Sequence, residues 1–166
     1  MPTINDYRWI DLLDTYKNHS KDSKFISSLE MQEGAWANCG EASALFRSWL
    51  KEELGIESQL VMLAGLPDFV DAARREHYEE GEFDHDEIDI HFVVRVGALY
   101  VDWTARQYRH NYAFPYICQL HTFTVEGWDV WHKEDNPTPE QDKECQVWLD
   151  DVAYFQIALR NYREGE

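Results

Sequence analysis

Cysteine is scarce in this chain of 166 residues: Cys39, Cys118 and Cys145 are its three cysteines, and they lie far apart in the sequence. An odd number of widely spaced cysteines argues against a disulfide framework and favours a reducing compartment. Long apolar runs are also lacking, so the sequence predicts no membrane-crossing helix. The first residues, MPTINDYRWIDLLDTYK, contain no basic segment followed by an apolar one. We therefore expect no secretion signal and a cytoplasmic protein.

Basic residues are few relative to acidic ones. Lys and Arg number 15 against 32 Asp and Glu, which gives a formal net charge of -17. Such a surface repels phosphates and anionic lipids, so we expect neither direct nucleic acid binding nor membrane binding. It attracts basic proteins, and a protein substrate or partner with a basic surface fits best. Two other interpretations stay open, namely solubility alone and mimicry of nucleic acid.

The patterning predicts one α+β domain over 1–166, with helices packed on an antiparallel sheet. Apolar residues make up 44% of the chain, with 7 Trp, 9 Tyr and 8 Phe, which is enough to fill a core. Turn, capping and periodicity signals place the elements along the chain. They are a helix over 4–17, a polar connection over 18–35, a helix from Cys39 to Gly55, a strand over 58–65, a helix and an exposed acidic loop within 67–90, a hairpin turning at Gly97, a strand in FTVEGWDVW and a helix over 139–162.

Cys39 opens the helix in NCGEASALFRSWLKEELG. The positive end of the helix dipole and the unsatisfied N–H groups of the first turn stabilise a thiolate there. The backbone N–H of Cys39 is able to donate to an oxyanion, and Gly40 would let a substrate approach closely. A small buried filler is the alternative, and it is the interpretation adopted for Cys118 and Cys145.

A nucleophilic thiolate needs a base, and the hairpin supplies a candidate. A two-residue turn at Gly97-Ala98 pairs Val93 with Asp102 and places His91 on the same face of the sheet as Asp102. A carboxylate beside a histidine orients the ring and stabilises the imidazolium. Taken singly, His91 could be a satisfied core histidine, and Asp102 could be a strand-end carboxylate that bonds to a turn.

These segments resemble the papain-like and transglutaminase-like superfamily of thiol enzymes, over about 33–108. VDWTARQY is especially similar to papain-fold bacterial and phage proteins, which include protein-glutamine deamidases and effector or toxin domains. The phage link would allow delivery into a host cell. The resemblance implies Cys39 as nucleophile, His91 as general base and acid, and Asp102 as the group that orients His91. It implies no cofactor and no metal.

The resemblance is incomplete at the oxyanion hole. Papain-like peptidases place a Gln six residues before the cysteine, where this chain has Glu33, and Gln32 is one residue away. Gln32 and Asn38 are therefore candidate oxyanion donors, and Gln107 is expected to hold the strand end through its amide. Gly40, Trp36 and Trp103 are candidates for substrate contact.

The predicted function is that of a thiol hydrolase or acyltransferase acting on a carboxamide, by protein glutamine deamidation or amide hydrolysis. The same three residues would also serve a cysteine peptidase or a transglutaminase. An alternative of a different class is an acidic binding or inhibitor protein that carries a relic triad.

Three further features leave their roles open. His77, His85 and His91 match no dependable metal-ligand spacing, so a cation site is disfavoured. The acidic segment 76–90 would rim the cleft beside His91. The aromatic segment 127–132 would line a substrate groove, fill the core or form a self-association patch.

Overall fold

Residues 8–18, 22–79 and 88–130 are described by a computed structural model. Over these residues the chain is α+β, with six α-helices and one five-stranded antiparallel sheet. The helix predicted over 139–162, together with Cys145, lies outside the described residues.

The sheet is built around a hairpin whose position the sequence predicted. Its strand order is β4-β3-β2-β1-β5, so the first four strands are neighbours in chain order and β5 joins the edge at β1. The strands are β1 (Gln59–Gly65), β2 (Asp89–Val96), β3 (Leu99–Asp102), β4 (Tyr116–Cys118) and β5 (Asp129–Val130).

The register of the hairpin matches the prediction. Val94 pairs with Val101 and Val96 pairs with Leu99 across a two-residue turn, in which Gly97 has a φ of 61°. Few side chains tolerate that angle, so glycine suits the turn. This register places His91 and Asp102 on one face of the sheet, because alternate residues of a strand share a face.

The helices differ from the prediction in two segments. The segment 18–35 was expected to be a connection, but it contains a helix in which Ile26 and Leu29 are buried. This apolar face is too short to be recognised in the sequence among the serines. In FTVEGWDVW, predicted to hold a strand, the chain is helical up to Glu126, where Phe123 packs against Tyr100 at a ring distance of 5.5 Å, and it forms a strand only at Asp129–Val130. The helices are α1 (Trp9–Lys17), α2 (Ser23–Leu29), α3 (Gln32–Ala35), α4 (Cys39–Leu54), α5 (Asp68–His77) and α6 (Leu120–Glu126), with a 3-10 helix at Ala105–Gln107.

Helices cover both faces of the sheet. On one face α1, α2 and α4 enclose the larger core, where the rings of Tyr16 and Phe46 meet edge to face at 4.9 Å. On the other face α5 and α6 pack over the side chains of Val61, Leu63 and Val93. None of the helices in the described parts of the chain has both the length and the apolar character needed to cross a membrane.

Helix α4 places Cys39 close to the sheet. It ends at Gly55, whose φ of 65° lets the chain turn away, as the sequence predicted. One turn after Cys39, the Ser43 hydroxyl donates to the carbonyl oxygen of Phe92 at 3.1 Å. Since Phe92 follows His91 in β2, this hydrogen bond fixes the start of α4 relative to His91.

Candidate active site

Cys39 is the first residue of α4, as the sequence predicted. Its side chain is buried, 4% exposed, and packs with Leu60, Met62 and Phe92. Cys39 therefore fits both predictions, a thiol at the start of a helix and a small buried side chain. By helix geometry, the N–H groups of this first turn have no partner within the helix.

His91 and Asp102 are in direct contact. Nε2 of His91 lies 2.7 Å from Oδ2 of Asp102, and both residues are buried. The other carboxylate oxygen, Oδ1, accepts a hydrogen bond from the Thr104 N–H at 2.9 Å. Asp102 is thus both a strand-end carboxylate that bonds to a turn and the partner of a histidine, with one oxygen for each role.

The surroundings of His91 favour its charged form. Burial alone would lower its pKa, but the charge of Asp102, the hydrogen bond to it, and hydrogen bonding to Cys39 together raise the pKa well above the usual value. The thiol of Cys39 is therefore near enough to the ring to affect its pKa. Because Nε2 faces Asp102, the thiol has to share Nδ1 with any other group that reaches that nitrogen.

Gln107 connects the segment before Cys39 to His91. Its Oε1 accepts a hydrogen bond from the Ala37 N–H at 3.3 Å, and its Nε2 lies 3.3 Å from Nδ1 of His91. Nε2 also donates to Oγ1 of Thr104 at 3.1 Å. The sequence predicted that this amide would hold a strand end, and its contact with His91 was not predicted.

The two candidate oxyanion donors flank the segment that leads to Cys39. Nε2 of Gln32 donates to the backbone carbonyl of Gln107 at 3.3 Å. Nδ2 of Asn38 donates to the carbonyl of Gly34 at 2.7 Å. Each amide thus already has a backbone carbonyl as a partner, and each retains a second N–H by its chemistry.

The candidates for substrate contact separate into different environments. Gly40 is in the first turn of α4 and is partly exposed. Trp36 is also partly exposed and stacks on His77 with ring centroids 4.0 Å apart. Trp103 is 2% exposed and packs on Tyr16 at 5.0 Å in the larger core. Trp103 therefore belongs to the core rather than to a substrate surface.

Aromatic rings border His91. Tyr108 meets its ring edge to face at 5.2 Å and donates its hydroxyl to Asp89. Trp128 stacks on the same ring at 5.9 Å and is itself buried. The aromatic segment 127–132, described as far as residue 130, thus contributes a core residue that also touches the candidate base.

A small cleft of about 20 Å³ lies beside His91 and Asp102. At its rim the Arg109 guanidinium lies 3.6 Å from the centre of the Phe69 ring and pairs with Glu126 at 3.3 Å. Burial raises the pKa of Glu126, an effect that Arg109 partly offsets. This side of the site is therefore both aromatic and charged.

The other candidate chemistries are a metal site and a second reactive cysteine. Within the described residues, no group of three or more His, Cys, Asp or Glu side chains is placed to hold a metal ion. His85 and the rest of 80–87 lie outside those residues. Cys118 is buried, and its pKa is raised by burial and by the nearby charges of Asp102 and Glu126, so it is held as a neutral thiol.

The site is assembled from three parts of the fold. Helix α4 brings the thiol, strand β2 brings the imidazole, and the end of strand β3 brings the carboxylate. A thiol in reach of an imidazole that is oriented by a carboxylate is an arrangement suited to nucleophilic catalysis. Comparisons with protein-family models, with curated proteins and with solved structures find no match to this chain.

Proposed function

We propose that this chain is a thiol hydrolase or acyltransferase of the papain-like or transglutaminase-like type, acting on a carboxamide. One observation carries the proposal: Nε2 of buried His91 lies 2.7 Å from the Asp102 carboxylate, and the Cys39 thiol is near enough to contribute to the raised pKa of the ring. Core packing alone gives no reason to bury an ionisable pair beside a thiol, because burying charge is costly unless it is used or fully compensated.

The proposed reaction runs through a thioester. The Cys39 thiolate attacks the carboxamide carbon, and the imidazolium of His91 gives its proton to the departing nitrogen as the C–N bond breaks. His91 then takes a proton from water, whose oxygen attacks the thioester carbon. The C–S bond breaks, a carboxylic acid leaves and the thiolate returns. In sum, one amide and one water become one carboxylic acid and one ammonia or amine.

Asp102 and the start of α4 stabilise the charges that this reaction forms. The carboxylate of Asp102 faces Nε2, so it stabilises the positive ring and keeps Nδ1 directed at the thiol. The N–H of Cys39, at the positive end of α4, is suited to the oxyanion. The second N–H of Gln32 or Asn38 would complete the oxyanion hole.

Deamidation of a protein glutamine is the favoured activity within this class. Cys39 is 4% exposed, so the group that reaches it must be slim. A primary carboxamide at the end of a flexible side chain meets that need better than a main-chain peptide bond does. The net charge of -17 favours a substrate protein with a basic surface. Peptide-bond cleavage and cross-linking to an amine use the same three residues.

The first test is the pH dependence of alkylation by iodoacetamide, with the labelled cysteine identified by mass spectrometry. Cys39 is expected to react selectively, and His91→Ala is expected to slow it by about tenfold or more. His121→Ala, at an exposed position of α6, is the matched control. Reaction of Cys39 no faster than Cys118 would contradict the proposal and favour a binding function for the acidic surface.

A second test identifies the activity. Basic proteins rich in surface glutamine are incubated with the protein and with Cys39→Ala, and their masses are compared. Conversion of amide to acid by the wild type alone supports deamidation. Chain cleavage would instead assign a peptidase, and incorporation of an added amine would assign a transglutaminase.

A further inference from the structure

We propose that Gln107 is a positioning residue that determines which nitrogen of His91 carries the proton in the neutral ring. The inference deepens the proposed function and rests on it for its catalytic meaning. It is carried by the contacts of one buried amide, which is 3% exposed and touches both the Cys39 segment and His91.

The orientation of the Gln107 amide is set by its other contacts. The Ala37 N–H is a donor, so the atom of Gln107 that faces it must be the oxygen, Oε1. The amide nitrogen then has to face the opposite way, toward Thr104 Oγ1 and His91 Nδ1. A flipped amide would place donor against donor at Ala37, 3.3 Å apart.

This orientation decides the tautomer of His91. An N–H of Gln107 aimed at Nδ1 requires a lone pair on that nitrogen in the neutral ring. At the other side of the ring, the Asp102 carboxylate requires a proton on Nε2. Gln107 and Asp102 thus select the same neutral form from opposite sides. That form leaves Nδ1 free of a proton, and the Gln107 N–H has to give way there when Nδ1 accepts a proton from Cys39 or from water.

The same contact opposes the charged form of the ring. Once Nδ1 is protonated, the Gln107 N–H faces another donor, which costs free energy. Gln107 therefore counters the stabilisation that Asp102 gives to the imidazolium, so the proton is more readily passed on to the leaving nitrogen. The other titratable groups whose charge or ring reaches this site are Cys39 of α4, Tyr108 after the 3-10 helix, and Glu126 of α6.

Gln107→Glu is the sharpest test because it changes the contact with His91 and keeps the one with Ala37. A carboxylate oxygen still accepts the Ala37 N–H, but the atom facing Nδ1 becomes an acceptor with negative charge. We expect the pKa of His91 to rise and the neutral ring to carry part of its proton on Nδ1. We also expect alkylation of Cys39 at neutral pH to slow by about tenfold.

The measurements are the ¹⁵N shifts of His91 across a pH titration, and the alkylation rate of Cys39. Arg106→Ala is the matched control, since Arg106 donates to the Glu30 carbonyl at 2.9 Å and so ties the 3-10 helix to the segment before α3. The control is expected to leave the tautomer of His91 unchanged. Gln107→Met, which keeps the side-chain length and removes the donor, serves if the glutamate variant does not fold. It is also expected to raise the pKa of His91.

Two results would overturn the proposal. One is a wild-type neutral ring that carries its proton on Nδ1. The other is a His91 titration and tautomer in the Gln107 variants that match those of Arg106→Ala. Repeating the NMR titration in Cys39→Ala separates this inference from the proposed function. The tautomer preference must persist without the thiol, even if Cys39 itself proves unreactive.

Discussion

The hydroxyl of Ser43 donates to the carbonyl oxygen of Phe92 at 3.1 Å, and this buried hydrogen bond joins α4 to the central strand of the sheet. Ser43 lies one helical turn after Cys39, and Phe92 follows His91 directly. The relative position of thiol and imidazole is therefore held by a contact between their immediate neighbours. Nothing in the composition of the helix marks this serine out from a solvent-facing one.

Replacing this serine is expected to loosen the site. Ser43→Ala removes a buried hydrogen bond, so we expect it to lower the free energy of unfolding by about 1 kcal/mol and to slow Cys39 alkylation. Urea unfolding and labelling kinetics measure the two effects. Ser27→Ala, at an exposed position of α2, is the control and should alter neither. An unchanged alkylation rate in Ser43→Ala would show that the contact does not position the thiol.

Asp102→Asn is expected to remove the preference of His91 for one tautomer. The Thr104 N–H holds one side-chain oxygen at 2.9 Å, so the new amide nitrogen would face Nε2 as a donor. The ring would then face an N–H donor at both nitrogens, the new amide at Nε2 and Gln107 at Nδ1, and its pKa would fall for lack of the carboxylate. We expect amide hydrolysis to drop by at least about a hundredfold. Asp129→Asn, exposed on β5, is the matched control.

The ¹⁵N shifts of His91 provide the check on that reasoning. They should report Nε2–H in the wild type and in Asp129→Asn, and a mixture of the two tautomers in Asp102→Asn. Retention of full activity by Asp102→Asn would show that the buried carboxylate has a purely structural role.

The raised pKa of His91 gives a signed prediction for stability. A basic group whose pKa is higher in the folded state contributes stability that is complete below its unfolded pKa, here 6.5. The contribution is lost as pH rises through the folded pKa. The difference in unfolding free energy between wild type and His91→Gln should therefore shrink as the pH rises above 6.5. Urea titrations at several pH values measure it.

Comparing wild type with His91→Gln cancels the contributions of other titrating groups to the pH dependence of stability. Cys118 and Tyr108 also have raised pKa values, but both proteins contain them. A difference that widens toward alkaline pH would contradict the charged form of His91 in the folded protein.

Gly34 in α3 has no room for a side chain. A Cβ at this position would lie 1.8 Å from the carbonyl oxygen of Ser28, a backbone atom that cannot rotate away. We expect Gly34→Ala to destabilise the protein by roughly 2 kcal/mol or more, since overpacking forces the backbone apart. Thermal unfolding measures the loss, and Glu33→Ala at an exposed position of the same helix is the control. Equal stability of the two variants would contradict the close approach of α2 and α3.

Local rules were enough to predict the hairpin and its consequence for the site. A two-residue turn at Gly97-Ala98 and the alternation of strand residues placed His91 and Asp102 on one face, and they are in contact. The same alternation explains why Trp103 turns away into the core, although the sequence made it a candidate for substrate contact.

Contacts between distant segments could not be predicted in this way. Gln107 meets Ala37 across 70 positions of the chain, and only the approach of α3 to the 3-10 helix brings them together. The short helices α2 and α3 were not predicted from the sequence for a related reason. Each is too short for its periodicity to emerge, and each is stabilised by packing rather than by helix propensity.

The separations along the chain imply an order of assembly. His91 and Asp102 are 11 positions apart on one hairpin, whereas Ser43 and Phe92, which bring the thiol to the ring, are 49 apart. Short loops close at a smaller entropic cost than long ones. During folding the base and its carboxylate should therefore pair first, and the nucleophile should join them late. A half-folded chain would then keep its thiol apart from the group that activates it.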